Sequence, residues 1–130
     1  MDNLKMLIPG RPEYMTMIRL ATSSLAALAG FDIDDQEDIK LAVVEACKNV
    51  SCHGCEAFSD QYQIEFKVDN GSIQVTVTDA CDRHTLPKNG HQCKRCPEEG
   101  DIGAIMLRTL MKSVEFGRDE HGHKFIFMVK

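Results

Sequence analysis

The sequence predicts an α+β fold, a two-layer sandwich in which a mixed, mostly antiparallel sheet carries three helices on one face. Three observations predict it. Two stretches, Arg11 to Ala29 and the run that follows "FDIDDQED", repeat apolar residues at three- and four-residue steps, the period of an amphipathic helix. Two others, "YQIEFKV" and "SIQVTVTD", alternate apolar with polar residues, as strands with one wet face do. Helices and strands also come grouped rather than strictly alternating, which favours helices gathered on one side of a sheet over a doubly wound parallel fold.

Each element follows from local chemistry. "LKMLIP" is a short apolar run closed by Pro9, and because proline cannot donate to a ladder it reads as an edge strand. Pro12 is placed for a first helical turn. Tyr14, Ile18, Ala21, Leu25 and Leu28 then mark a helical stripe that stops at Gly30, a good C-terminal capping residue. The acids of "FDIDDQED" suit the start of a second helix, where they cap and meet the positive end of the helix dipole; its stripe is Ile39, Val43, Ala46 and Val50. "DNG" between the two alternating runs is a strong hairpin signal. From Asp82 to Glu99 periodicity vanishes in a stretch rich in Pro, Gly, Cys and charge, and long loops of this kind in compact domains are usually functional or disordered. A third helix opens in Gly100 to Gly103, with Ile105, Met106, Leu110 and Val114 along one side, and "FIFMV" supplies a last strand.

The bulk numbers bound the function. With 130 residues, 43% of them hydrophobic, the chain can bury one respectable core, so a single domain is expected. Fifteen basic residues against twenty acidic ones give a formal charge of -5, without a Lys/Arg block to act as a phosphate-backbone footprint. Direct nucleic-acid binding is not expected. The opening residues have no export signal pattern and no apolar run reaches bilayer length, so a soluble, cytoplasmic protein with no membrane contact is expected. Its six cysteines then read as reduced thiols rather than as a disulfide framework.

The chemistry begins in "VVEACKNVSCHGC". At about 100° per residue, Glu45, Asn49, Cys52 and His53 share a face of the second helix beside its buried stripe. A carboxylate and an amide oxygen one turn apart can serve as a base and a ligand for a hydrated divalent cation. Alone, that spacing also describes a solvated helix face. What raises its meaning is the order of further parts: a strand ending in Asp79, a long loop, then "GDIG" at a helix start, where unpaired backbone N–H groups attract phosphate and glycines allow close approach. Together these are the parts of a nucleotide site.

With those residues in place, the sequence resembles the anti-sigma-factor serine-protein kinases, small members of the Bergerat-fold, histidine-kinase-like ATPase superfamily that includes histidine kinases and gyrase. The likeness spans nearly the whole chain. "IPGRPEYMTMIRLATSSLAALAGF" matches the opening strand and first helix, "DIKLAVVEACKNVSCHG" the N box with its Glu, Asn and following His, "VTVTDACD" the first glycine box, "EEGDIGAIMLRTLMKSVEF" the second with its helix, and "HGHKFIFMVK" the closing strand. The resemblance implies one such domain over residues 1–130, with 82–99 as its ATP lid. It implies ATP and Mg as cofactors, Asn49 as the Mg ligand, Glu45 as general base on a protein serine, and Asp79 as acceptor for the adenine amino group. His53, Cys81, Gly100, Ile102 and Gly103 fall at the remaining nucleotide-contacting positions. It also implies a homodimer that binds a sigma factor and an anti-anti-sigma protein and phosphorylates a serine of the latter. Phosphoryl transfer of that kind rests on positioning and electrostatics and needs no P-loop.

Three departures from the family pattern stand out. Cys81 occupies a glycine position of the first box, Asp101 replaces a glycine beside the expected phosphates, and Gly122, His123 and Lys124 stand where Gly-Thr-Thr is common. Fold resemblance survives such changes, whereas turnover does not follow from fold.

Four cysteines form two CxxC pairs, Cys52 with Cys55 and Cys93 with Cys96, a ligand set suited to zinc or an iron–sulfur cluster, with His53, His91, Cys47 and Cys81 as substitutes. The bland reading makes Cys47 a small apolar core residue and the others incidental thiols. His121 and His123 read as surface residues of a turn, and Met15, Met17, Met106 and Met111 as core or interface. The rival function is therefore a non-catalytic interaction module with a degenerate nucleotide pocket and a metal- or redox-sensing cysteine cluster. A third reading is a relative that phosphorylates something other than a sigma regulator.

Overall fold

A computed structural model describes residues 1–50, 61–80 and 102–130. Its elements run β1 (Asp2–Pro9), α1 (Pro12–Leu28), α2 (Ile33–Val50), β2 (Gln61–Asp69), β3 (Ser72–Asp79), α3 (Ile102–Leu110), β4 (Ser113–Arg118) and β5 (Lys124–Val129). The five strands form one sheet in the order β1-β2-β3-β5-β4, with β1 on an edge as its proline requires. Every neighbouring pair is antiparallel, so the expected mostly antiparallel sheet is wholly so among the described residues.

The alternation seen in the sequence sets the core. Tyr62, Ile64, Phe66 and Val68 of β2 and Ile73, Val75 and Val77 of β3 point to one face and are buried. Ile126 and Met128 of β5 share that face, and α1, α2 and α3 cover it. Against them lie Met15, Ile18, Leu25 and Ala26 of α1 and the predicted α2 stripe, Ile39, Val43, Ala46 and Val50, each of the four fully buried. Each large aliphatic or aromatic side chain so buried contributes roughly 1.5–3 kcal/mol, which makes this face the main source of stability.

The helix ends explain the chain's turns. Pro12 starts α1 without a side-chain cap. At its other end, Gly30 adopts φ 94, with the Gly30 N–H bonded to the Ala27 carbonyl (3.0 Å) and the Phe31 N–H to the Ala26 carbonyl (3.1 Å). This paired pattern is the Schellman motif that a C-terminal glycine permits. Asp32 then caps α2, its Oδ1 accepting from the Asp35 N–H at 2.9 Å. Between β2 and β3, Gly71 at φ 85 closes the hairpin, and its N–H reaches the Ala29 carbonyl at 2.8 Å, tying the turn to the end of α1.

Two expectations are corrected. Helix α3 ends at Leu110, and Val114 belongs to a strand, β4, paired with Met128 of β5. The buried residues of this segment are Ala104, Leu107 and Met111, while Ile105 and Met106 are exposed. Val114 lies four residues after Leu110 and so continues a helical pattern in the sequence. In the fold, the Lys112 N–H is taken by the Val129 carbonyl at 2.8 Å, and pairing with β5 overrides the helical period. In α1, Leu28 is exposed, and Thr22, with its hydroxyl donating to the Ile18 carbonyl at 2.7 Å, joins the core instead.

Candidate active site

The site is built where α2, β3 and α3 meet. Helix α2 packs on β3 and α3, and it presents Glu45 and Asn49 one turn apart on the flank of its buried stripe. Asn49 is nearly buried, and its Nδ2 donates twice to Glu45, to the backbone carbonyl at 2.8 Å and to carboxylate Oε1 at 3.1 Å. The amide nitrogen is thereby committed to Glu45. Its Oδ1 is left as the acceptor, a hard oxygen of the kind Mg prefers. Glu45 stays half-exposed, with Oε2 as its second oxygen.

Helix α3 brings its first turn onto this pair. At Gly103, an added Cβ would lie 2.5 Å from both Nδ2 and Oδ1 of Asn49 and 2.8 Å from its Cγ. Only a hydrogen fits there. Ile102, the first residue of α3, is exposed, and the contact at Gly103 sets the start of the helix, with the positive end of its dipole, beside Asn49. An anion would be favoured at that end.

Asp79 closes β3 on the core face, 2% exposed, opposite Tyr62 of β2, which is fully buried. A carboxylate is a costly group to bury and is kept where it has polar work to do. Lys124, at the start of β5, is also buried on the core face at 6% exposure. The register that sets Thr78 opposite Phe125 runs on towards Asp79 and Lys124. Sequence reasoning noted Lys124 only as a departure from a motif. Its burial could have been read from the strand alternation, which puts it in phase with Ile126 and Met128.

Of the predicted site residues, Glu45, Asn49, Asp79, Ile102 and Gly103 fall among the described residues; Glu45, Asn49 and Gly103 are in direct apposition. Cys52, His53, Cys55, Cys81, Cys93, Cys96 and Gly100 lie outside the described residues, as do Asp101, His91 and the 82–99 segment. Among the described residues, no group of three or more His, Cys, Asp or Glu side chains could hold a metal ion. Cys47 is a fully buried core thiol, as the bland reading had it, and burial pushes its pKa up to about 12.

The hairpin turn between β4 and β5 is organised by Asp119. Its Oδ1 accepts from the His121 and His123 N–H groups, each at 2.9 Å, and Gly122 takes φ 82. His121 is exposed as expected. His123 is half-buried, its Nδ1 3.5 Å from the Asp119 carboxylate.

A sheet covered on one face by three helices, with a carboxylate and an amide presented by the central helix beside a second helix start, defines the architecture of a histidine kinase-like ATPase. The sequence matches the family described as Histidine kinase-like ATPase domain over residues 8–130. Among individual relatives, it is 32% identical to the serine-protein kinase RsbW of Bacillus licheniformis over 123 residues, covering 87% of this chain and 76% of the relative. It is 31% identical to the RsbW of Halalkalibacterium halodurans over 126 residues, 91% of this chain and 77% of that one, and 32% identical to the RsbW of Bacillus velezensis over 127 residues, 88% and 77%. The chain belongs to the histidine kinase-like ATPase family, among its anti-sigma-factor serine-protein kinases.

Proposed function

We propose that this protein is an anti-sigma-type serine-protein kinase that binds Mg-ATP and a sigma factor and transfers the γ-phosphoryl group to a serine of an anti-anti-sigma partner. The observation that carries the reading is the Asn49 side chain, fixed by Glu45 on one side and fitted against Gly103 on the other. It faces the start of α3, the end of a helix suited to phosphate. The relatives compared above are all serine-protein kinases, which supports the same chemistry.

In this reading each residue has one task. Asn49 would hold Mg through Oδ1, and the ion would supply charge neutralisation on the phosphates. Asp79 accepts the adenine amino group. The α3 N–H groups and Gly103 face the phosphates. Glu45 takes the proton from the serine hydroxyl as its oxygen forms the new bond to the γ-phosphorus and the bond to the β–γ bridging oxygen breaks, releasing ADP. Most of the acceleration then comes from alignment and electrostatics. The protein acts as a soluble, cytoplasmic, single-domain homodimer. Among the described residues, no helix is long and apolar enough to cross a membrane.

Titrating Mg-ATP against the protein and its Asn49→Ala variant tests the enzymatic half. Binding by the parent, weakened at least tenfold in the variant, is expected; a parent that binds no Mg-ATP removes the kinase reading. A pull-down from the native cell reads the other half, through the presence or absence of a sigma factor. Zinc or iron–sulfur ligation by Cys52, Cys55, Cys93 and Cys96 has a separate readout, elemental analysis and visible absorption of protein purified without oxygen. Colourless, metal-free protein removes it.

A further inference from the structure

Gly103 sits in the second position of α3 in ordinary right-handed backbone, unlike Gly30, Gly71 and Gly122, whose φ values are positive. Conformational freedom is therefore not what this position requires. In a helix, glycine is less favourable than alanine, and a first turn gains nothing from that cost. What the position lacks is room. A methyl group would overlap the Asn49 amide at 2.5 Å on both Nδ2 and Oδ1, well inside van der Waals contact. The overlapped atoms are the far end of a side chain with two rotatable bonds, held among the described residues by its hydrogen bonds to Glu45. They can move, and if they move the fold survives while the site does not.

From this we infer that Gly103 is a positioning residue that acts through Asn49: the bare α3 backbone is the wall that holds the Asn49 amide in the rotamer bonded to Glu45 and its Oδ1 in place for a cation. This rests on the kinase reading of the site for its consequence, but not for its geometry. The position of α3 and the rotamer of Asn49 are thereby one variable. Whatever shifts the start of α3 changes cation binding at Asn49.

The test is a double-mutant cycle with Gly103→Ala, Asn49→Ala and the pair, measured in the full chain. Three quantities are followed: the side-chain amide resonances of Asn49 without nucleotide, ATP affinity with and without Mg, and the thermal midpoint. In Gly103→Ala, the Asn49 amide resonances shift and the Mg-dependent part of the ATP affinity falls by about 10- to 100-fold, the scale on which loss of a residue that orients a metal ligand acts. Affinity measured without Mg falls by less than affinity measured with it. In the Asn49→Ala background, Gly103→Ala has no further effect on Mg dependence, because the overlapped atoms are gone. Should Gly103→Ala alone lower the thermal midpoint sharply, the pair recovers it. Additive losses in the pair, or unchanged Asn49 resonances in Gly103→Ala, overturn the inference. A parent that binds no Mg-ATP sinks the kinase reading instead and leaves the amide resonances to decide the positioning role.

Discussion

Asn49 and Glu45 are joined twice: Nδ2 of Asn49 donates to the Glu45 backbone carbonyl at 2.8 Å and to the Glu45 carboxylate at 3.1 Å. The pair therefore moves as a unit on α2, with Glu45 Oε1 occupied and Oε2 left for chemistry. Glu45→Gln keeps an oxygen for Asn49 to donate to and removes only the basic carboxylate. Mg-ATP affinity should be retained while transfer to a serine peptide or protein falls by about 10²- to 10⁴-fold, the usual contribution of a general base. Single-turnover assays beside a nucleotide titration separate the two. Equal loss of binding and transfer would assign Glu45 to binding alone.

Cys47 supplies a pH prediction. Its thiol has a pKa raised by burial from 9.0 to about 12. The neutral form is the one the core tolerates, so the folded state holds this proton more tightly than the unfolded state does. Its contribution to stability is fully present below pH 9.0, declines as pH rises above that value, and is lost as pH passes about 12. Urea midpoints from pH 8 upward should fall more for the parent than for Cys47→Ala, which has nothing to ionise. The same burial should protect Cys47 from iodoacetamide until the protein unfolds. Rapid labelling of Cys47 in the native state would contradict the placement.

Much of this molecule could be read before any coordinates. The α2 stripe, the DNG hairpin, the Gly30 cap and the edge strand closed by Pro9 each follow from one local rule. The register is pinned by strict alternation in β2 and β3, so the core face was legible too. Strand β4 was not, because Val114 and Phe116 give it only two apolar residues in phase and Val114 also fits a helical step from Leu110. Its strand state is decided by β5, far along the chain. In the site, Glu45, Asn49 and Asp79 were visible as motif residues, and Gly103 as a glycine near phosphate. The wall that Gly103 makes for Asn49 is a tertiary fact between residues 54 positions apart, which no local pattern encodes.

Gly71 should be worth more than its place in a surface turn suggests. Its φ of 85 lies in the left-handed region, and an added Cβ would meet nothing within 4 Å, so substitution meets backbone strain alone. Gly71→Ala is expected to cost about 1–2 kcal/mol. Its N–H bond to the Ala29 carbonyl should persist and leave the denaturant slope unchanged while the midpoint drops. Gly71→Asn, a residue that tolerates this region better, should lose less. Equal losses for the two variants would show that contacts, not backbone strain, set the cost.

Lys130 ties the end of α3 to the start of α2. Its ammonium donates to the carbonyl of Leu110, the last residue of α3, and lies 3.7 Å from Asp35 and 3.6 Å from Asp38 in the first turns of α2. Its side chain is only 18% exposed, against 42% for each carboxylate. Ion pairs with carboxylates that open to solvent contribute about 0–1 kcal/mol, whereas a charged donor on an orphan helix carbonyl contributes about 1.5–3 kcal/mol. The carbonyl bond should dominate. Lys130→Met is therefore expected to lower stability by more than Asp35→Asn and Asp38→Asn together, and most of that loss should survive in 1 M salt, where the Debye length is about 3 Å. Helix α3 also carries Gly103 at its other end, so releasing its C-terminus should disturb the Asn49 amide resonances as well. Loss of stability without any change at Asn49 would mean that the two ends of α3 move independently.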